Sequence, residues 1–132
     1  MCAYSSKTPV RLLIIDDDID LLMLLERSLL KEGYAVETAA SLPEAEEIIP
    51  YFFPQLVLLD INVNGEDGRQ LCWKLKHTQK GVKVILMSGF DYSLSRAVLF
   101  GADDLIPKPL ETALLLQKLD GYFSDAMKSA QS

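Results

Sequence analysis

Apolar and polar positions along this chain switch repeatedly between two periods. Val10–Ile15 (VRLLII) is almost unbroken in β-branched and Leu side chains, the pattern of a strand covered on both faces. It runs directly into three carboxylates, Asp16, Asp17 and Asp18. Beyond them Leu21, Leu22, Leu24, Leu25, Leu29 and Leu30 recur at helical spacing, and Gly33 stands where a helix would stop. Residues 34–40 (YAVETAA) alternate as a short strand does. Ser41 and Glu44 make an S-x-x-E capping box that opens a second helix, expected to end near Ile49, with Pro50 and Pro54 bracketing a loop. Residues 55–60 (QLVLLD) predict a third strand. The Gly-rich stretch 61–68 (INVNGEDG) predicts a loop into a helix carrying Leu71, Cys72, Trp73 and Leu75, with Cys72 and Trp73 as packing residues. Residues 82–88 (VKVILMS) predict a fourth strand, 93–102 (SLSRAVLFGA) a helix closed near Gly101, and 104–109 (DLIPKP) a short fifth strand. From Thr112 an amphipathic helix runs toward the tail despite Gly121.

Strands alternating with helices predict an α/β fold: one parallel sheet, doubly wound, with helices on both faces. In such folds ligands sit outside the carboxyl ends of the strands, near the point where strand order reverses. The informative residues are therefore those at strand ends: Asp16 and Asp17, Asp60, Ser88, and Lys108.

Composition narrows the setting. The 132 residues suffice for one domain with a real core. We expect a disordered arm over 1–8, the domain over 9–122, and a helix end or tail over 123–132. A net charge of -6, with basic residues scattered, argues against a sequence-independent grip on nucleic acid or an anionic membrane. Cys2 and Cys72 form no disulfide framework and no metal-ligand spacing. The start, MCAYSSKTPV, is too polar for a signal peptide, so a cytoplasmic location is expected.

Three carboxylates converging from two strand ends make a hard oxygen site suited to Mg²⁺, which would offset their mutual repulsion. A carboxylate can also attack phosphorus to give an aspartyl-phosphate. A Lys ammonium can pair with phosphoryl oxygens and a Ser hydroxyl can donate to them. Plainer roles account for other polar groups. Asp18 and Asp20 suit a helix N-terminus, where acids complement the dipole. His77 reads as a solvated helix-end side chain, and Asp103 and Asp104 as turn and strand-entry acids.

Taken in order, LLIIDDD (12–18), PQLVLLDINVNGEDG (54–68), VILMSG (84–89) and GADDLIPKP (101–109) resemble the motifs of the receiver domain of bacterial two-component response regulators. That resemblance implies a flavodoxin-like (βα)5 fold with strand order 2-1-3-4-5. It implies that Asp60 is the phosphoacceptor, and that Asp16, Asp17, Asp60 and the backbone carbonyl of Asn62 hold Mg²⁺. Ser88 would be the switch hydroxyl and Lys108 the phosphate-pairing lysine, with Pro109 joined through a cis peptide. Gly89, Phe90 and Leu105 would belong to the switch, and Phe90 and the Asn62 side chain would tune phosphoryl lifetime. The partners implied are a sensor histidine kinase or histidine phosphotransfer protein and a downstream protein or output domain. Neither nucleic acid nor membrane is contacted directly, and the chain is a phosphorylated switch rather than a turnover enzyme. Two positions depart from the family: Asn64 stands where Pro is frequent, and Leu105 where an aromatic is usual. With Leu105 there, output is expected to pass through the backbone after Ser88 and the helix face around Arg96 and Leu99.

Three other readings compete. A haloacid-dehalogenase-type phosphatase would use Asp16 as nucleophile and Asp18 as acid/base, but Asp103–Asp104 precede the lysine they should follow, and Asp60 is left without a role. A flavodoxin-like electron carrier would need a phosphate-cradling first loop, where three aspartates repel instead. A pseudo-receiver would lack part of the residue set. The stretch after Gly121 is too short for an output domain, so a stand-alone receiver or part of a longer regulator is expected.

Overall fold

The computed structural model describes residues 8–89 and 100–131, with side chains of the final helix given through Phe123. The expected arm, apart from Thr8, and most of the helix expected over 93–102 lie outside the described residues. In chain order the elements are β1 (Arg11–Ile15), α1 (Ile19–Lys31), β2 (Ala35–Ala39), α2 (Leu42–Phe52) and β3 (Leu56–Asp60). There follow a small pair, β4 (Asn62–Val63) and β5 (Glu66–Asp67), then α3 (Gly68–Thr78), β6 (Lys83–Ser88), β7 (Asp104–Pro107) and a C-terminal helix, Thr112–Gln131.

Five strands form one parallel sheet in the order β2-β1-β3-β6-β7. Counting only its members, that is 2-1-3-4-5. Alternation along the central strands divides the core into two layers. Leu13, Ile15, Val57, Leu59, Val84 and Leu86 face α2 and α3, against Ala45, Ile49, Leu71 and Leu75. Leu12, Ile14, Leu56, Leu58, Ile85 and Met87 face the other way, against Leu22, Leu25 and Leu29 of α1 and Leu115 and Leu119 of the C-terminal helix. Burying each such Leu or Ile stabilises the fold by ~1.5–3 kcal/mol. Both faces of β1, β3 and β6 are thus covered, which is why those strands read as unbroken apolar runs.

Caps delimit the helices. The Asp18 carboxylate accepts the Leu21 N–H at 3.2 Å and so begins α1. Leu24 and Leu30 share the helical repeat but are about half exposed, since it is Leu22, Leu25 and Leu29, with Leu21 partly buried beside them, that pack on the core. At α2 the Ser41 hydroxyl accepts the Glu44 N–H, while the Glu44 carboxylate reaches back to the Ala40 N–H.

Three expectations need correction. First, α2 does not stop near Ile49 but continues through Pro50 to Phe52, ending where Phe53 turns left-handed at φ 50°. Pro50 lies in the last turn on the exposed side, so the lost N–H strands only one carbonyl, within reach of water. Second, residues 61–68 are not merely a loop: β4 and β5 form a hairpin around Asn64–Gly65, with φ of 55° and 81°. Positive φ at both central residues is the type I′ turn that Asn-Gly favours. Third, Trp73 is not a core residue; it is half exposed and stacks on His77, ring centroids 3.9 Å apart. Cys72 is the buried one, its thiol pushed up to about 11 by burial and donating to the Phe100 carbonyl at 3.3 Å.

Gly68, the first residue of α3, is held against the end of β3. Its N–H donates to the Ile61 carbonyl at 2.6 Å, and a Cβ there would overlap the Asp60 carbonyl oxygen. The obstacle is backbone, so little can yield. Gly68→Ala should lose ~1–3 kcal/mol, the usual scale of overpacking, read as a lower urea midpoint with unchanged m-value.

Candidate functional site

Four strand ends meet at one edge of the sheet. The Asp16 N–H extends the β1 ladder to the Ala39 carbonyl at 3.1 Å, which turns the Asp16 side chain inward, fully buried. Asp60 closes β3 and keeps 10% of its side chain exposed. Ser88 closes β6, buried, opposite Pro107 in register. Lys108 follows β7 directly, and its own N–H donates to the Ser88 carbonyl at 2.8 Å. The Lys108–Pro109 peptide is cis.

From there the Lys108 ammonium reaches back across the sheet. Nζ donates to Asp16 Oδ2 at 2.8 Å and to Asp60 Oδ2 at 3.0 Å. The remaining oxygens take backbone donors: the Asp18 N–H reaches Asp16 Oδ1 at 3.0 Å, and the Asn62 N–H reaches Asp60 Oδ1 at 3.2 Å. Asp17 is exposed, and its Oδ2 accepts the Asn64 N–H at 2.9 Å.

Burial raises the Asp16 carboxyl above its ordinary range; Lys108 and the Asp18 N–H oppose that, and the charge of Asp60 adds to it. For Lys108, burial works against the charge, but the hydrogen bonds to Asp16 and Asp60 and their charges more than offset it. The net shift is upward, so the ammonium persists through neutral pH.

Oxygens of Asp16, Asp17 and Asp60 lie within 4.8 Å of one another. With all three ionised, one ammonium leaves two negative charges uncompensated, and every donor is a hard oxygen. That set fits Mg²⁺, which takes one or two carboxylates and keeps water in its other positions.

The other residues singled out from the sequence divide. Gly89 is exposed just past Ser88, and Leu105 is half-buried against the α3 side of the core. Asn62 is exposed, with its side-chain oxygen accepting the Gly65 N–H at 3.0 Å, so that group serves the hairpin. Phe90, Arg96 and Leu99 lie outside the described residues. Asp103 accepts the Val84 N–H and pairs with Lys76, Asp104 pairs with Lys118, and His77 is exposed. Asp103 and Asp104 are thus engaged elsewhere than at the carboxylate cluster.

Two residues noted in the loop have contacts that escaped the sequence reading. Asn64 supplies the N–H that holds Asp17, and its side-chain amide donates to the Ala40 carbonyl at 3.0 Å, tying the hairpin to the end of β2. A proline there would have no N–H to give. The Asn-Gly pair was the available signal. Gly68 carried none, because its close approach to Asp60 depends on tertiary placement.

Comparison with known proteins identifies the fold and the family. The family model of the response regulator receiver domain matches residues 12–120. The response regulator MprA of Mycobacterium sp. (strain KMS) is 36% identical over 114 residues, covering 84% of this chain and 49% of that protein. This chain thus spans about half the length of the curated relatives it matches. Among solved structures, a response regulator receiver domain protein from Methanospirillum hungatei JF-1 is 34% identical with a TM-score of 0.81, covering 92% of this chain and 99% of that one. The BeF3-activated receiver domain of RstA from Klebsiella pneumoniae is 32% identical with a TM-score of 0.74, covering 83% and 94%. This chain belongs to the response regulator receiver domain family, whose general function is phosphorylation-based two-component signalling.

Proposed function

We propose that Asp60 is the phosphoacceptor of this receiver, charged by a histidine kinase or histidine phosphotransfer protein in the cytoplasm. The single observation that carries this is the Lys108 ammonium bridging Asp60 to a buried Asp16, with exposed Asp17 alongside. An Asp60 oxygen attacks the phosphorus of phosphohistidine; the O–P bond forms as the P–N bond breaks, and the imidazole leaves with a proton. Lys108 then exchanges part of its contact with Asp60 for a phosphoryl oxygen, and the Ser88 hydroxyl donates to another. Bound Mg²⁺, held by Asp16, Asp17, Asp60 and the Asn62 carbonyl, would neutralise charge on the transferring group. The chain is then a phosphorylated switch with slow self-dephosphorylation, read by a downstream protein or output domain.

The phosphatase reading fares worse. Hydrogen bonds engage both carboxylates alike, but the Asp16 side chain is fully buried while Asp60 keeps 10% exposed, so Asp60 is the accessible nucleophile. Asp18, which would be the acid/base, is committed to capping α1.

Acetyl phosphate with Mg²⁺ should add one phosphoryl group, seen by intact mass, and Asp60→Asn should abolish it. Continuous phosphate release from a simple ester, or equal labelling of the variant, would contradict the assignment.

Metal binding should raise stability by ~2.7 kcal/mol at a hundredfold excess over Kd. Asp16→Asn should remove most of that response. Because burial raises the Asp16 carboxyl, its ionised form is worse off folded than unfolded, and its contribution to stability falls as pH rises through the folded pKa. At neutral pH without metal, Asp16→Asn should therefore melt higher than wild type. Differential scanning calorimetry with and without Mg²⁺ reads both effects.

Leu105 has no hydroxyl and less bulk than an aromatic, so we assign the outgoing signal to the backbone after Ser88. Ser88→Ala should permit labelling yet suppress the amide-exchange change at Gly89 and Gly101 on adding beryllofluoride, while Leu105→Ala should retain most of it.

A further inference from the structure

Of the three clustered carboxylates, Asp17 is the one exposed to water. Asp16 and Asp60 are buried and divide the Lys108 ammonium between them. Asp17 takes no share of it among the described residues, yet one of its oxygens lies within 4.8 Å of theirs. Like charges that close push an exposed side chain toward solvent, and its rotamer freedom favours the same escape. What opposes this is the N–H of Asn64, which Asp17 Oδ2 accepts at 2.9 Å. Hydrogen bonds to an ionised acceptor are among the strong ones.

The hairpin is built to keep that donor in place. Asn64 takes the first central position of the turn at φ 55°, and its side-chain amide donates to the Ala40 carbonyl at 3.0 Å. Ala40 directly follows Ala39, whose carbonyl accepts the Asp16 N–H. The Ala40 N–H in turn is taken by the Glu44 carboxylate at 2.6 Å. The tip of the hairpin is therefore tied to the same end of β2 that orients Asp16. At the base the Gly68 N–H meets the Ile61 carbonyl, and the Asn62 N–H meets Asp60 Oδ1 at 3.2 Å. Two backbone donors two residues apart, Asn62 and Asn64, thus hold the carboxylates that close β3 and follow β1. The hairpin sets the spacing between them. A cation that needs both finds Asp17 already ordered, instead of having to order it on arrival.

We propose that Asn64 is a positioning residue for the metal site: its N–H holds Asp17 in the cluster, and its side-chain amide anchors that N–H to the end of β2. The proposal rests on the reading of these carboxylates as the Mg²⁺ site.

Two substitutions separate the two groups. Asn64→Pro removes the N–H and cannot adopt a φ of 55°. Asn64→Gly keeps the N–H and the turn and loses only the anchor. Mg²⁺ affinity, read by calorimetric titration, should fall by about tenfold in Asn64→Pro, with Asn64→Gly between it and wild type. In an Asp17→Ala background, Asn64→Pro should cost no more than about twofold further, because no carboxylate is left to place. Without metal, the Asn64 amide proton should exchange several-fold faster in Asp17→Ala than in wild type. A folded Asn64→Pro protein with wild-type affinity, a Gly loss equal to the Pro loss, or an equal Pro loss in the Asp17→Ala background would overturn the proposal. So would unchanged exchange of the Asn64 amide, a readout that decides even if the proline protein does not fold. The expected order of affinities in a protein that takes no phosphoryl group on Asp60 would uphold this role and count against the phosphoacceptor reading alone.

Discussion

One ammonium group lets this sheet end in acid. Asp16 and Asp60 leave adjacent parallel strands, and both present a carboxylate to the single Nζ of Lys108. Two unit charges ~4 Å apart repel by about 4 kcal/mol at an effective dielectric of 20, and burial removes the water that would otherwise screen them. Lys108 reaches them only because β7 is parallel to and in register with β6, which brings its last residue to the same edge. The Lys108 N–H bond to the Ser88 carbonyl then fixes the base of that side chain beside the buried Ser88 hydroxyl. Sheet order, strand register and the charge balance of the site are a single constraint.

A second constraint comes from the hairpin after β3. Gly68 abuts the Asp60 carbonyl, and Asn64 ties the tip to Asp17 and Ala40. The end of β3, the exposed Asp17 and the start of α3 are thereby linked through bonds that each have a backbone group on at least one side. A rearrangement at Asp60 has a short physical route into α3, and from there to Phe100, whose carbonyl accepts the Cys72 thiol and whose ring lies 4.9 Å below the Arg69 guanidinium.

The same helix has two unlike faces. Leu71, Cys72 and Leu75 close the core, while Trp73, Lys74 and His77 face outward. On the exposed side the Lys74–Glu46 ion pair ties α3 to α2.

Much of this was already written in the chain. The two hydrophobic periods defined five strands with their flanking helices, because a strand covered on both faces has to be apolar throughout and a helix covered on one has to be striped. Acids, Ser and Lys at the strand ends pointed to a candidate site, and the fold brings them to one edge of the sheet. Periodicity could not tell which leucines of α1 face water, because Leu24 and Leu30 obey the helical repeat as well as Leu25 does. Nor could it place Trp73, whose apolar ring looks like core until it is seen half exposed on the outward side of α3. Pro50 signalled a break that the exposed last turn of α2 absorbed. Residue types therefore determined which chemistry was possible, because charge and donor atoms belong to side chains. Only the tertiary structure decided that Lys108 is shared between Asp16 and Asp60, because that sharing depends on strands far apart in sequence arriving in register at one edge.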